Sequence, residues 1–222
     1  MMISTRGDQL DFDYERLVEL SRESPLIWLE LLEHRGERVL HAGCGSGVVT
    51  VRLAQKFSRV VGTDREHKLI EIATNRFSHP NVEYIHVSFT EFIDHAGFDL
   101  IFNYLTMHEV DDKEHGIMNM LRLLRPGGSV VIVDRVVDSR WRATIEHALL
   151  ALREFPVDIW RIRIRALRLL RYRLECKRLR HVADKSHFSS EDFVKFYEHF
   201  FPGAQFVNRG SMMAMYWTNH LP

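Results

Sequence analysis

Three glycines at alternate positions, in the stretch "RVLHAGCGSGVVTVRLA" from Arg38 to Ala54, constrain this chain more than any other feature. A short apolar run of strand type is handed to a helical pattern through Gly43–Cys44–Gly45–Ser46–Gly47. Alternate glycines let a backbone turn sharply and let a ligand approach the main chain where a Cβ would collide. The helix that follows aims its free N–H groups and positive dipole end at the same place, which favours a carboxylate or a phosphate. The spacing is GxGxG, because Val48 stands where the dinucleotide fingerprint GxGxxG has its last glycine. A tight strand-to-helix turn with no ligand would use the same residues.

The surroundings repeat this strand-then-helix unit. Strands are expected at Arg38 to Ala42, Val60 to Thr63, Val82 to Val87, Leu100 to Tyr104 and Ser129 to Asp134, with helices near Val48 to Phe57, His67 to Phe77 and Lys113 to Leu124. Apolar, β-branched strands alternating with helices imply a mostly parallel sheet covered on both faces. The last of these helices should stop at "RPGG", where Pro126 cannot continue it and Gly127–Gly128 supplies a turn. The C-terminal end departs from the pattern. A helix beginning at "SSEDF" precedes two apolar runs joined at Arg209–Gly210–Ser211, so an antiparallel hairpin should close the sheet.

With 222 residues the chain should form a single α/β domain over 1–222, with N-terminal helices in 1–36 and a basic helical insertion at 139–186. Thirty basic residues balance thirty acidic ones overall, but the insertion holds 13 Lys or Arg against 5 Asp or Glu, leaving −8 on the rest. Only Cys44 and Cys176 occur, so there is no disulfide framework, and no stretch reads as a leader or a membrane span. These features predict a soluble, cytoplasmic protein. Thirteen histidines invite a metal, but the spacing of HExxH and CxxC is missing, and no metal is expected.

"VVGTD" ends the second strand with Asp64, 19 residues after Gly45. In nucleotide-binding sheets an acid there accepts from ribose hydroxyls, and it can equally cap the following helix. The stretches "VLHAGCGSG", "VVGTD", "NVEYIHVSF", "FDLIFNYLTMHEV" and "LRLLRPGGSVVIVD" together resemble class I S-adenosylmethionine-dependent methyltransferases, in the small-molecule branch related to ubiquinone and menaquinone biosynthesis. The resemblance implies a Rossmann-like, seven-stranded, mostly parallel sheet with a C-terminal antiparallel hairpin and helices on both faces. It implies S-adenosyl-L-methionine as cofactor and a small-molecule acceptor, anionic or aromatic.

Carried onto this sequence, the pattern sets Gly43, Cys44, Gly45 and Gly47 around the methionine part of the cofactor and Asp64 at its ribose. Arg65, Ser88 and Phe89 would flank the adenine, and Asn103 and Tyr104 would line the passage to the methyl group. The family usually carries an acid where His41 and Ser88 stand, and losing each charge-assisted bond should weaken cofactor binding by about 1 kcal/mol. His108, beside Glu109, is the candidate base for an acceptor proton, or a residue that orients the next helix. Tyr14 is a candidate for closing over the cofactor, and Arg161, Arg165 and Arg168 for gripping an anionic acceptor. A homodimer is expected from the two-sided apolar pattern of the insertion; nucleic acid is an unexpected partner, because basic and acidic residues balance over the whole chain. Competing readings are a catalytically silent binding module of the same fold, an RNA methyltransferase and, more distantly, a nicotinamide dehydrogenase.

Overall fold

The computed structural model describes residues 25–30, 37–138, 140–162, 166–167, 170–171, 174 and 187–219, with backbone alone for 26, 140–147, 150 and 161–162. Within them the glycine turn sits at the centre of a seven-stranded sheet. The strands are β1 (Arg38–Ala42), β2 (Arg59–Asp64), β3 (Val82–His86), β4 (Phe98–Tyr104), β5 (Leu124–Arg135), β6 (Gln205–Asn208) and β7 (Met212–Thr218). Their order is β3-β2-β1-β4-β5-β7-β6. β1 pairs in parallel with both β2 and β4, β3 and β5 continue in parallel, and β7 runs antiparallel to β5 and β6.

The helices are α1 (Val48–Leu53), α2 (His67–Arg76), α3 (Lys113–Leu123), α4 (Arg140–Ile162) and α5 (Ser190–Phe200). Because side chains alternate across a strand, β1 feeds two cores. Leu40 and Ala42 pack with Ile101, Val130 and Ile132 beneath α3 and α5, and Val39 packs with Leu100, Phe102 and Val131 against Leu53 and Phe57 on the α1 side. Ser189 caps α5 by accepting the Asp192 N–H at 3.0 Å, as "SSEDF" predicts.

Three differences from expectation have local causes. α1 ends at Leu53 rather than Phe57, and the side-chain amide of Asn81 donates to the carbonyls of Ala54 (2.9 Å) and Phe57 (2.7 Å) as the chain leaves the helix. "RPGG" does not end outside the sheet. Gly127 N–H donates to the Asn219 carbonyl (3.0 Å) and Asn219 N–H to the Gly128 carbonyl (2.8 Å), so β5 begins at Leu124 and passes through a register shift. Gly127 there has φ 73°, a left-handed value that a side chain would strain. Of the expected N-terminal helices, the described part is a single 3-10 turn, Pro25–Leu29, whose Trp28 carbonyl accepts the Tyr216 hydroxyl at 2.7 Å. The rest of 1–36 and much of 163–186 lie outside the described residues.

Candidate active site

Parallel strands deliver their carboxyl ends to one edge, and in open α/β sheets that edge, at the reversal of strand order beside β1, is where ligands bind. β1, β2, β4 and β5 bring the glycine turn, Asp64, Tyr104 and Asp134 there.

The glycine turn is held from two sides. Gly43, Gly45 and Gly47 have φ of 76°, 55° and 86°, so all three adopt the left-handed conformation. At Gly43 a Cβ would fall 2.3 Å from Thr106 Cγ2, which makes that glycine obligatory for the approach of the loop after β4. Asp64 Oδ2 accepts the Gly45 N–H at 2.9 Å while Oδ1 accepts the Glu66 N–H at 2.9 Å. The Asp64 carboxylate therefore ties the turn to the end of β2. The N-cap of α2 is Glu66, so Asp64 is not the helix cap.

His41 lies within the α1-side core. It is 2% exposed, its Nδ1 is 2.8 Å from Thr50 Oγ1 on α1, and its ring stacks on Phe102 at 5.6 Å. Burial pushes its pKa down to about 3, so it is neutral at physiological pH. Cys44 is buried as well. Asn103 is fully buried, donating from Nδ2 to the Ala42 carbonyl at 2.9 Å, and its Oδ1 has no hydrogen-bond donor among the described residues. Ser88 Oγ lies 2.7 Å from Thr90 Oγ1 in a local turn, and Phe89 is buried in the core against α3. Arg65 reaches over the edge to Glu109, with 3.6 Å between charged atoms. Tyr104 is half-buried and stacks on Phe102. The structure thus gathers Gly43 to Gly47, Asp64, Arg65, Asn103, Tyr104 and His108 along one edge, while His41 and Phe89 turn into the two cores. Tyr14, Arg165 and Arg168 lie outside the described residues, and Arg161 is described in its backbone alone.

His108 sits in a 3-10 turn, Met107–Glu109, directly after a strained bend. Leu105 has φ 56°, a left-handed value for a residue with a side chain, and donates its N–H to the Val133 carbonyl at 2.8 Å. Asp134, at the end of β5, accepts the His108 N–H on Oδ2 and faces its Nδ1 with Oδ1, both at 2.8 Å. A carboxylate on Nδ1 fixes the proton there and leaves Nε2 as the basic nitrogen. His187, before α5, brings its ring centroid within 4.5 Å of that of His108. His108, Asp134 and His187 each offer a ligand atom within 4.8 Å of the others, a spacing that invites a metal ion. Asp134 also accepts the Arg135 N–H at 2.7 Å, so two backbone N–H groups and His108 Nδ1 surround its carboxylate. The sequence singles out His108 but not its neighbours Asp134 and His187 or the bend at Leu105 and Thr106; the aspartate closing the apolar run "VVIVD" was the available signal for Asp134.

A family profile described as a methyltransferase domain matches residues 39–128. Over 102 residues the chain is 28% identical to an uncharacterized methyltransferase of Mycobacterium bovis, covering 46% of this chain and 52% of that protein. Over 99 residues it is 34% identical to a ubiquinone biosynthesis O-methyltransferase of Aromatoleum aromaticum, covering 43% and 42% respectively. The chain thus spans about half the length, or less, of these relatives. The chain also shares its fold with the N-methyltransferase NodS of Bradyrhizobium japonicum, solved with S-adenosyl-L-homocysteine. There the TM-score is 0.55 at 16% identity, over 94% of this chain and 86% of that one.

Proposed function

We propose that this protein binds S-adenosyl-L-methionine at the turn Gly43 to Gly47 and directs methyl transfer to the hydroxyl of a small anionic or aromatic acceptor. One observation carries the reading: a glycine turn tied down by Asp64 shares a sheet edge with a buried histidine whose Nδ1 lies 2.8 Å from an Asp134 carboxylate oxygen. The residues suit the cofactor. Asp64 has acceptor capacity beyond its two loop bonds, the glycines leave the backbone open to approach, and Asn103 Oδ1 is a buried acceptor with no donor among the described residues. When bound, the cofactor supplies a methyl carbon on a cationic sulfur.

The chain's own contribution is positioning and one proton. Methyl transfer is an in-line displacement, and holding the nucleophile aligned and dry can supply much of the rate. With the cofactor bound, His108 Nε2 would take the proton that the acceptor hydroxyl gives up, and the Asp134 carboxylate would stabilise the resulting imidazolium. An oxygen acceptor is favoured because a hydroxyl needs a base and because one of the relatives is named an O-methyltransferase. Cys44, Arg65, Ser88 and Tyr104 belong to the rim of the proposed cofactor site.

Titration calorimetry with S-adenosyl-L-homocysteine tests the reading, with dissociation in the micromolar range expected. Absence of binding at millimolar ligand would instead favour the catalytically silent module, a reading motivated by the neutral residues His41 and Ser88. Screening hydroxylated aromatic acids for transfer of an isotopically labelled methyl group then identifies the acceptor.

A further inference from the structure

α4 has one buried face and one apolar face turned to solvent. Ala151 and Asp158, seven residues apart and so on one side of the helix, are buried. On the opposite side Leu149, Leu152 and Ile159 are about half exposed, and Trp160 is 85% exposed. Among the described residues only the side of Ala151 and Asp158 is covered; the two-sided stripe read from the sequence, Trp160 to Cys176, lies mostly outside them.

We propose that this outer face pairs with the same face of a second copy of the chain, as an antiparallel helix pair about a two-fold axis. The first argument is self-complementarity, which a two-fold interface demands. Leu149, Leu152, Pro156 and Ile159 are spaced by three, four and three, a pattern symmetric about position 154. An antiparallel copy centred there sets Leu149 against Ile159 and Leu152 against Pro156, with repeats of the kind that interlock in packed helices.

The second argument is area. The exposed parts of Leu149, Leu152, Ile159 and Trp160 come to about 450 Å² per copy, or about 900 Å² for a pair before flanking residues, close to the size at which specific interfaces begin. The third is charge. Arg140–Ile162 carries four Arg against three Asp or Glu, whereas the basic excess of the insertion lies beyond residue 162. A nearly neutral apolar face suits a copy of itself better than an anionic lipid surface or RNA.

Sedimentation equilibrium of the full chain between 1 and 50 µM tests this. The expected species has twice the chain mass, and Leu152→Glu should weaken association at least 100-fold while leaving circular dichroism and thermal unfolding of the monomer unchanged. Because that variant could act through folding, a second measurement reports the register. In a Cys176→Ser background, Leu149→Cys combined with Ile159→Cys should give disulfide-linked dimers under mild oxidation, and neither single variant should, since equivalent positions are too far apart for a disulfide. A wild-type monomer at 50 µM would overturn the proposal, and so would cross-linking by the single variants. Wild-type chain that remains monomeric but binds vesicles of 3:1 phosphatidylcholine and phosphatidylglycerol would overturn it in favour of a lipid partner. None of these outcomes depends on the methyltransferase reading.

Discussion

Asp64 and Gly45, 19 residues apart, are joined by a 2.9 Å hydrogen bond from the glycine N–H to the carboxylate. The bond has two effects. It holds the middle of the glycine turn against the end of β2, and it places a carboxylate where the proposed ribose would lie. Replacing Asp64 by Asn keeps the shape and removes the charge, and charged hydrogen bonds are about twice as strong as neutral ones. Asp64→Asn should therefore weaken S-adenosyl-L-homocysteine binding at least 10-fold, and Asp64→Ala further still, because the Gly45 N–H then loses its acceptor. Calorimetry that finds less than a twofold change in Asp64→Asn would remove Asp64 from the site.

His41 makes stability depend on pH. Buried beside Thr50, it holds a pKa of about 3 in the folded chain, against an unfolded value near 6.5. Above pH 6.5 neither state binds the proton, and His41 adds no pH dependence. As pH falls from 6.5 towards 3 the unfolded chain binds a proton that the folded chain refuses, so stability declines by about 1.4 kcal/mol per pH unit. Between pH 6.5 and 5 the loss attributable to His41 should reach about 2 kcal/mol. Urea unfolding should show a shallower decline over that window in His41→Gln than in wild type; identical slopes would place the titration elsewhere. For the same reason His41→Asp should lower stability by several kcal/mol at neutral pH, because it buries a charge in a core that offers a hydroxyl and a phenyl ring.

Most of the sheet was legible because buried parallel strands are written as local apolar runs, and "RVLHA", "RVVGTD" and "FDLIFNY" each became a strand near the expected limits. β5 was less legible. Its first residues, Leu124 to Gly128, carry Pro126 and two glycines, and they join the sheet through bonds to Asn219, more than ninety residues away. The site divides along the same line. Gly43, Gly45, Gly47 and Asp64 announce themselves by spacing within one βα unit, whereas the partnership of His108 with Asp134 depends on the pairing of β4 with β5, which no local pattern states. His41 illustrates the converse: its motif position was readable, but its burial against Thr50 and Phe102 depends on what α1 and β4 supply.

Gly43 gives the sharpest steric test. Its φ of 76° and a Cβ position 2.3 Å from Thr106 Cγ2 mean that Gly43→Ala must both strain the backbone and displace the loop leading to His108. A cost of at least about 2 kcal/mol is expected, lowering the unfolding midpoint by about 5 °C for a chain of this size. Pairing Gly43→Ala with Thr106→Ala should recover part of the loss by opening space, and the part that remains measures the backbone strain. Differential scanning calorimetry that finds the single variant as stable as wild type would show that the loop after β4 yields without resistance.

The last prediction concerns Asp134, whose two oxygens hold His108 at its backbone N–H and its ring. If the carboxylate sets the tautomer, nitrogen NMR of the folded protein at neutral pH should show His108 protonated on Nδ1, with Nε2 carrying the lone pair. In Asp134→Ala both His108 donors lose their acceptor inside the protein, so the variant should lose about 2–4 kcal/mol of stability and the Nδ1–H tautomer should no longer dominate. Asp134→Glu keeps the charge but lengthens the reach, and should restore the tautomer in part. A merely structural aspartate would account for the stability loss but not for the tautomer shift, so wild-type-like nitrogen shifts in Asp134→Ala would separate Asp134 from the chemistry of His108. Once an acceptor is known, the same variant should lower kcat with little change in KM, because orientation of the base matters only as the proton leaves.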